Sequence, residues 1–391
     1  MPEERFSVSV RASIIVPAYR CAPELRETLR ALKAGMATRA DWELIVIDDS
    51  SGDDTAAAAA PFADLVLPTR GGPRGPAHAR NLGASAARGE ILVFVDADVV
   101  VGAGIVPSLV ATLHCHPTLT AVFGAYDTAP GDPGFVSQYR NLLHHLVHVR
   151  NLGLSKTFWT GCSAIRRAEF LSVGGFDDVR FTTSAIEDID FGYRLTDRNG
   201  RILLDPSLQV THLKRWTLVT MIRADLLRRA VPWMCLLIDR REAMDGSALN
   251  VQPRERVLTA VAGVCVVTFA VAAVMLRPLP MLLAVLCALA LPLFDLSMLA
   301  FFRRTRGWVF ALRVIPMRSI FYMVSALGAA WALATHRPPT ALTAPGRLRS
   351  IDPERRSGAR SAESNGHPGH ADFPVGSPSP IERRAVIDQT R

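Results

Sequence analysis

Between residues 257 and 302 the chain carries only two charged side chains, Arg277 and Asp295. Residues 257–276 have no charge at all, and about 20 apolar positions are what a helix needs to cross a bilayer. Residues 279–302 make a second run broken only by Asp295. Hydrocarbon offers no partner to a free backbone N–H or C=O, so such runs have to be helical. The C-terminal third is therefore expected to be a membrane region, and the more polar residues before it a separate domain.

The flanking charges orient that region. Arg240, Arg241, Arg254 and Arg256 precede the first run, and Arg303, Arg304 and Arg306 follow the second. The positive-inside rule then predicts a multi-pass protein of the cell (inner) membrane with its N-terminal domain cytoplasmic. Residues 319–334 are a shorter apolar run behind Arg313 and Arg318. They read as a third span, which would put the tail beyond His336 on the far side. That tail is rich in Pro, Ser, Gly and charge and reads as disordered. Asp295 is either functional or packed against a polar neighbour. Residues 216–237 have apolar positions at helical spacing with arginines interspersed, as in an interfacial amphipathic helix. The boundaries expected are 1–215 for the polar N-terminal domain, 216–256 for the interface helix and linker, 257–335 for two to three membrane helices, and 336–391 for the tail.

Composition excludes several classes. The net charge of +8 suits anionic partners such as nucleoside diphosphates or acidic lipid head groups. The basic residues do not interleave with aromatics on one stripe, so no nucleic acid is expected. The six cysteines are single, without a C-x-x-C pair, so neither a disulfide framework nor a cysteine zinc site is indicated. The N-terminus lacks the apolar core of a signal peptide.

In the first hundred residues, short β-branched runs alternate with helical stretches. Residues 12–17 (ASIIVP), 43–47 (ELIVI) and 91–95 (ILVFV) read as buried strands. The intervening segments, with a Gly/Pro-rich loop at 71–76, read as helices and turns. This alternation predicts an α/β domain, a mostly parallel sheet flanked by helices, followed by C-terminal transmembrane helices. Ligands in such sheets sit outside the carboxyl ends of the strands. Two acidic pairs fall there: Asp48 and Asp49 after ELIVI, and Asp96 and Asp98 after ILVFV.

Asp96 and Asp98 alternate after a strand, so both can share one divalent cation. Hard oxygen ligands suit Mg2+ or Mn2+, ions that also take substrate phosphates. Asp48 and Asp49 can receive hydrogen bonds from a base or ribose, or serve the next helix as caps. Glu187, Asp188 and Asp190 open a predicted helix, where the dipole favours acids, and a carboxylate placed so can also be a general base. His212 follows a late strand, as a structural residue or as a ligand returning to the site. His114, His116, His144, His145 and His148 have no H-E-x-x-H spacing and read as scattered helix-surface histidines.

In order, SIIVPAYR, IVIDDSSGDDT, GPAHARNLGASAARGEILVFVDADV, FWTGCSAIRRAEFLSVGGFDD, IEDIDFGYRL and VTHLKRW resemble the motifs of glycosyltransferase family 2. The resemblance covers about residues 11–216. It implies a GT-A type nucleotide-sugar-binding fold, a UDP- or GDP-sugar donor, Mg2+ or Mn2+, and inversion at the anomeric carbon. Pro17 and Tyr19 would line the base, and Asp48 or Asp49 would hold base or ribose. Arg80 would approach the nucleotide. Asp96 and Asp98 match the family's D-x-D, and His212 would join them on metal or diphosphate. Gly161 would belong to the loop between donor sugar and acceptor. Asp188 matches the catalytic base, with Glu187 beside it on the donor. Arg20 departs from the asparagine common after the tyrosine. The Q-x-x-R-W motif of processive synthases is not cleanly present: Arg228 and Arg229 come near its place without the glutamine. The membrane helices suggest a lipid-linked or membrane acceptor.

Two other classes compete. A dinucleotide oxidoreductase would need a third glycine after Gly102 and Gly104, and those glycines follow the acidic pair instead of opening the first helix. A non-catalytic membrane scaffold or export component could keep the fold without turnover.

Overall fold

The computed structural model describes residues 11–36, 39–240 and 253–337. The expected tail from residue 338 on, and Arg241 with the rest of the linker through residue 252, lie outside the described residues.

The chain begins with β1 (Ala12–Ala18), α1 (Ala22–Met36), β2 (Trp42–Asp48), the short α2 (Thr55–Ala59), β3 (Leu65–Pro68), α3 (Pro76–Ala86) and β4 (Ile91–Val95). These four strands are parallel, ordered β3-β2-β1-β4. Ile14, Ile15 and Val16 of β1, Leu44 to Ile47 of β2 and all of β4 are almost fully buried. Both sheet faces are covered, which is why these strands read as unbroken apolar runs. The helix α3 packs close to the sheet: a Cβ on Gly83 would meet Ile15 Cγ2 at 2.5 Å.

After β4 the sheet becomes mixed. There follow β5 (Val99–Val100), α4 (Ile105–Cys115), β6 (Ala121–Tyr126), α5 (Phe135–Arg150), β7 (Gly153–Ser155), β8 (Cys162–Arg166), α6 (Arg167–Ser172), α7 (Glu187–Thr196) and β9 (Ile202–His212). β8 is antiparallel to β4 and to β6, and β9 runs parallel to β6. The α/β expectation holds, with parallel pairing among the first four strands and again between β6 and β9. The late strand, β9, is continuous over 11 residues, and it carries His212 back beside Val99.

The segment expected as one amphipathic helix is in three pieces: α8 (Leu218–Ala224), a π-turn at Asp225–Ala230 and α9 (Val231–Arg240). The apolar region holds α10 (Pro253–Val274), α11 (Pro278–Ala290), α12 (Leu296–Arg306) and α13 (Trp308–Thr335). Two of these, α10 and α13, are long and apolar enough to cross a membrane. The second expected run is bent by 76° between α11 and α12. Asp295 sits at the bend, accepting from Met298 N at 2.9 Å, and is paired with Arg150 of α5 at 2.8 Å and Arg254 of α10 at 2.9 Å. Of the two readings of this carboxylate, packing against polar neighbours is the one realised. The sheet domain and the apolar helices share a core, in which Tyr139, Leu142 and Leu146 of α5 meet Met298, Phe302 and Val314. α13 touches the sheet domain near its start, with the Arg313 guanidinium 4.1 Å from the Phe135 ring centre. Just past its end, His336 Nε2 is 2.6 Å from Asp239 of α9.

Candidate active site

The strand ends carry the site. Arg80 projects from α3, where it is buried, and donates to Asp96 Oδ1 at 2.6 Å and to Glu187 Oε1 at 3.1 Å. One guanidinium thus ties the D-x-D loop to the start of α7. Burial works against the charge of Arg80, but Asp96 and Glu187 outweigh it and raise its pKa. Glu187 is spent on this frame, because its second oxygen accepts from Ala185 N at 2.8 Å. Asp188 is the carboxylate of the pair left facing a cavity. Burial, with the charge of Glu187 added, raises its pKa to about 7.

Asp98 faces His212, with Oδ2 3.4 Å from Nε2. His212 lies flat on the Tyr126 ring, centroids 4.4 Å apart. Its Nδ1 is 2.7 Å from Asn141 Oδ1. Asn141 Nδ2 donates to Ser137 O at 3.0 Å, so the amide oxygen faces the imidazole and Nδ1 carries a hydrogen. That leaves Nε2 turned to Asp98. Burial opposes charge on Asp98, yet the imidazole and Lys214 hold its pKa down to about 2. Among the described residues no three His, Cys, Asp or Glu side chains converge as a metal site of their own. The pair of Asp98 oxygen and His212 nitrogen, oriented from behind by Asn141, nevertheless fits Mg2+ or Mn2+ that completes its shell with diphosphate oxygens and water.

The other expected residues divide. Pro17 is half-buried and Tyr19 is exposed at the end of β1. Asp49 is taken up by the Gly/Pro-rich loop: it accepts from Thr69 Oγ1 at 2.9 Å and from Arg74 N and Gly75 N at 2.8 Å. Asp48 holds Ser51 through its N–H and hydroxyl. Arg20 and Ser50 both have left-handed backbone, φ 49° and 55°, a region that asparagine tolerates better than arginine. Gly161 is required by its neighbour, since a Cβ there would fall 2.2 Å from the Trp159 ring, and its carbonyl receives Asp96 N at 3.3 Å.

One end of a cavity of about 380 Å³ is formed by Arg80, Asp96, Asp98, Glu187 and Asp188. Its wall includes His144, His148 and Trp159, so reading the histidines as scattered on helix surfaces was wrong for α5. His145 Nδ1 lies 2.7 Å from Tyr126 O and His148 Nδ1 3.0 Å from Gly124 O, pinning α5 to β6. Burial lowers the His148 pKa to about 4. His114 and His116 are exposed as expected. Sequence reasoning missed Asn141, Tyr126 and the Arg140–Asp225 pair. Only the helical spacing of Ser137, Asn141 and His144 hinted that α5 presents a polar face inward.

Known proteins resemble this chain along the same stretch. Residues 13–174 match the family model described as Glycosyl transferase family 2. Validoxylamine A glucosyltransferase of Streptomyces hygroscopicus subsp. jinggangensis is 32% identical over 222 residues, covering 47% of this chain and 50% of that protein. Pre-mycofactocin glycosyltransferase of Mycobacterium tuberculosis is 27% identical over 230 residues, covering 56% of this chain and 45% of that protein. The chain spans about half the length of these curated relatives. A solved mannosyltransferase from Pyrobaculum calidifontis, in complex with GDP-Man and Mn2+, shares the fold with a TM-score of 0.54 at 20% identity, over 82% of this chain and 87% of that one. The matched stretch runs from β1 through the D-x-D to the end of α6, so it is the sheet domain of this chain that is similar to glycosyl transferase family 2.

Proposed function

We propose that this protein moves a sugar from a UDP- or GDP-sugar to an acceptor hydroxyl, with inversion, at a membrane surface. The observation that carries this reading is the Arg80 bridge. It brings the D-x-D carboxylates and the Asp188 carboxylate to one end of one cavity, although they lie far apart in sequence.

In this mechanism the acceptor O–H bond breaks, its proton passes to Asp188, and the oxygen forms a bond to the anomeric carbon. The bond from that carbon to the diphosphate oxygen breaks on the opposite face, and the nucleoside diphosphate leaves with the electron pair. A base with a pKa near the working pH is suited to this step. Asp98 and His212, with Asp96 alongside, would hold Mg2+ or Mn2+, which when bound offsets charge on the leaving diphosphate. The mannosyltransferase of the same fold, bound to GDP-Man and Mn2+, supports this choice of donor and ion. Arg80 and Glu187 position the carboxylates. Pro17 and Tyr19 would line the base, Asp48 would meet the ribose, and Asp49 would shape the loop from Gly71 to Pro76. The flanking arginines and the apolar helices support a cytoplasmic catalytic domain on a multi-pass inner-membrane anchor, with a lipid-linked acceptor.

The test is nucleoside diphosphate release by the detergent-solubilised protein from a panel of nucleotide sugars, with Mn2+, Mg2+ or EDTA. Metal-dependent release from one donor is expected. Asp188→Asn should cut turnover about 10²–10⁴-fold while sparing nucleotide binding. No release from any donor, with the protein folded and membrane lipids supplied, would favour the scaffold reading.

A further inference from the structure

The bend at Asp295 sets the direction of α12. α11 packs back along α10, a helix long and apolar enough to cross a bilayer, and α12 leaves α11 at 76°. With α10 along the bilayer normal, α12 lies close to the membrane plane. The turn is fixed from three sides. Asp295 caps α12 through Met298 N, and Arg150 of α5 and Arg254 of α10 both pair with it.

α12 has two faces. Met298 and Phe302 are buried in the core that α5 supplies with Tyr139 and Leu142. Leu296 is exposed on the other face, and two helical turns later so are Arg303 and Arg304, the spacing of a single stripe. The next arginine is used differently: Arg306 donates to Gln138 Oε1 and Thr128 O of the sheet domain.

Both ends of α12 show large apolar side chains to the outside. Phe294 and Leu296 stand at its start, and Trp308 and Val309 follow its end. Leu154 of β7 lies four residues beyond Arg150, which reaches Asp295 at the same bend. These five side chains are 63–72% exposed. Single exposed apolar residues are ordinary. Here they come from a strand, a helix bend and a helix start, and they border one flat helix that turns two arginines outward. Apolar patches with a polar rim mark contacts with membranes or proteins. Two observations select the membrane. The patch continues without a break into α11, whose Leu282, Leu283 and Leu286 are also exposed. The arginines and Trp308 are the residue types that suit anionic head groups and the bilayer interface, and the Arg303 guanidinium lies 4.8 Å from the Trp308 ring centre.

We propose that α12 is a seat by which the sheet domain rests on the bilayer surface. Leu154, Phe294 and Leu296 dip into the acyl boundary at one end and Trp308 and Val309 at the other, while Arg303 and Arg304 hold anionic lipid head groups. α5 packs on this seat and also carries Asn141, the partner of His212, so the seat sets the height of the acidic cluster above the membrane. The assignment rests on α10 being a membrane span and is independent of the sugar and the acceptor.

The experiment places the full chain in lipid nanodiscs with an environment-sensitive fluorescent amino acid at one position at a time. Quenching is read with lipids that carry a nitroxide at a shallow or a deep position of the acyl chain. Probes at Leu154, Phe294 and Val309 should be quenched by the shallow nitroxide severalfold more than a probe at Leu65, an exposed leucine on the edge strand β3. A probe at Val264, exposed on α10, should respond to the deep one. Exchanging zwitterionic for anionic lipid should increase the quenching at Val309. Arg303→Gln with Arg304→Gln should remove that increase and leave quenching at Val264 and binding of UDP or GDP with Mn2+ unchanged. A probe at Leu154 quenched no more than the one at Leu65, with Val264 quenched, would overturn the seat. So would a Leu154 probe shielded only in discs that hold two copies, since the patch would then join two chains. An increase that survives in the glutamine pair would overturn the role of the arginines. A Val264 probe that no nitroxide reaches would instead remove the membrane anchor, and the seat with it.

Discussion

Arg80 and Glu187 are 107 positions apart in the sequence and 3.1 Å apart in the fold. Both are almost fully buried, and Asp96 completes the bridge on the other side of the guanidinium. Removing Arg80 leaves one buried and one half-buried carboxylate without their cation. Breaking a buried pair in this way typically costs about 3–5 kcal/mol. Arg80→Met is therefore expected to lower the melting temperature in detergent and to abolish sugar transfer. Adding Glu187→Gln should recover part of the stability, because the uncompensated charge disappears. An Arg80→Met protein that melts with the parent would show that the bridge does not hold the site together.

The raised pKa of Asp188 gives the pH dependence a sign. A general base works only when deprotonated, so kcat/KM should be low in acid and rise with pH. The midpoint should lie near 7, since burial and the charge of Glu187 raise the pKa to about that value. Replacing the neighbour as Glu187→Gln removes one of those causes, so the limb should shift towards lower pH. A profile that Glu187→Gln leaves in place, or that shifts it upward, would exclude Asp188 as the titrating base.

Asp98 faces His212, the pair proposed to hold the metal, and Asn141 orients the imidazole. Residues that orient a ligating histidine commonly contribute about 10–100-fold in metal affinity. Both His212→Ala and Asn141→Ala should raise the Mn2+ concentration needed for half-maximal turnover, with rates partly recovered at saturating metal. If Asn141→Ala titrates like the parent protein, the ring is held by its stack on Tyr126 alone.

What the sequence revealed was what depends on local order. The apolar runs that became β1, β2 and β4 are short, β-branched and covered on both faces, so their composition showed them directly. The acidic pairs were placed at strand ends because turn and strand alternate there. The partition of roles within each pair was not visible. Glu187 and Asp49 each satisfy their oxygens on distant groups, Arg80 and the backbone of residues 74 and 75, and no periodicity encodes a partner 107 positions away. The histidines of α5 were misread for a similar reason. The partners of His145 and His148 are the Tyr126 and Gly124 carbonyls of β6, the latter at the register shift between Phe123 and Ala125. The bend at Asp295 also depends on tertiary partners, the arginines of α5 and α10.

The placement of α13 bears on the side of the membrane that holds the C-terminal segment. Its composition permits a span, and the sequence suggested one. Near its start, Arg313 stacks on Phe135 of the sheet domain. Beyond its end, His336 pairs with Asp239, and the same carboxylate receives Arg180 at 2.8 Å. Phe135 and Arg180 belong to one folded polar domain, which cannot lie on both faces of a bilayer. A helix of 28 residues is about 42 Å long, against a hydrocarbon core of about 30 Å. A crossing would therefore pull one of these anchors away from its partner. α13 is expected to lie along the catalytic domain at the membrane surface and to return the chain to the catalytic side. Green fluorescent protein fused behind Arg391 should then fluoresce, and alkaline phosphatase at the same place should stay inactive. The opposite pattern would mean that α13 crosses and that the His336–Asp239 pair does not form in the membrane.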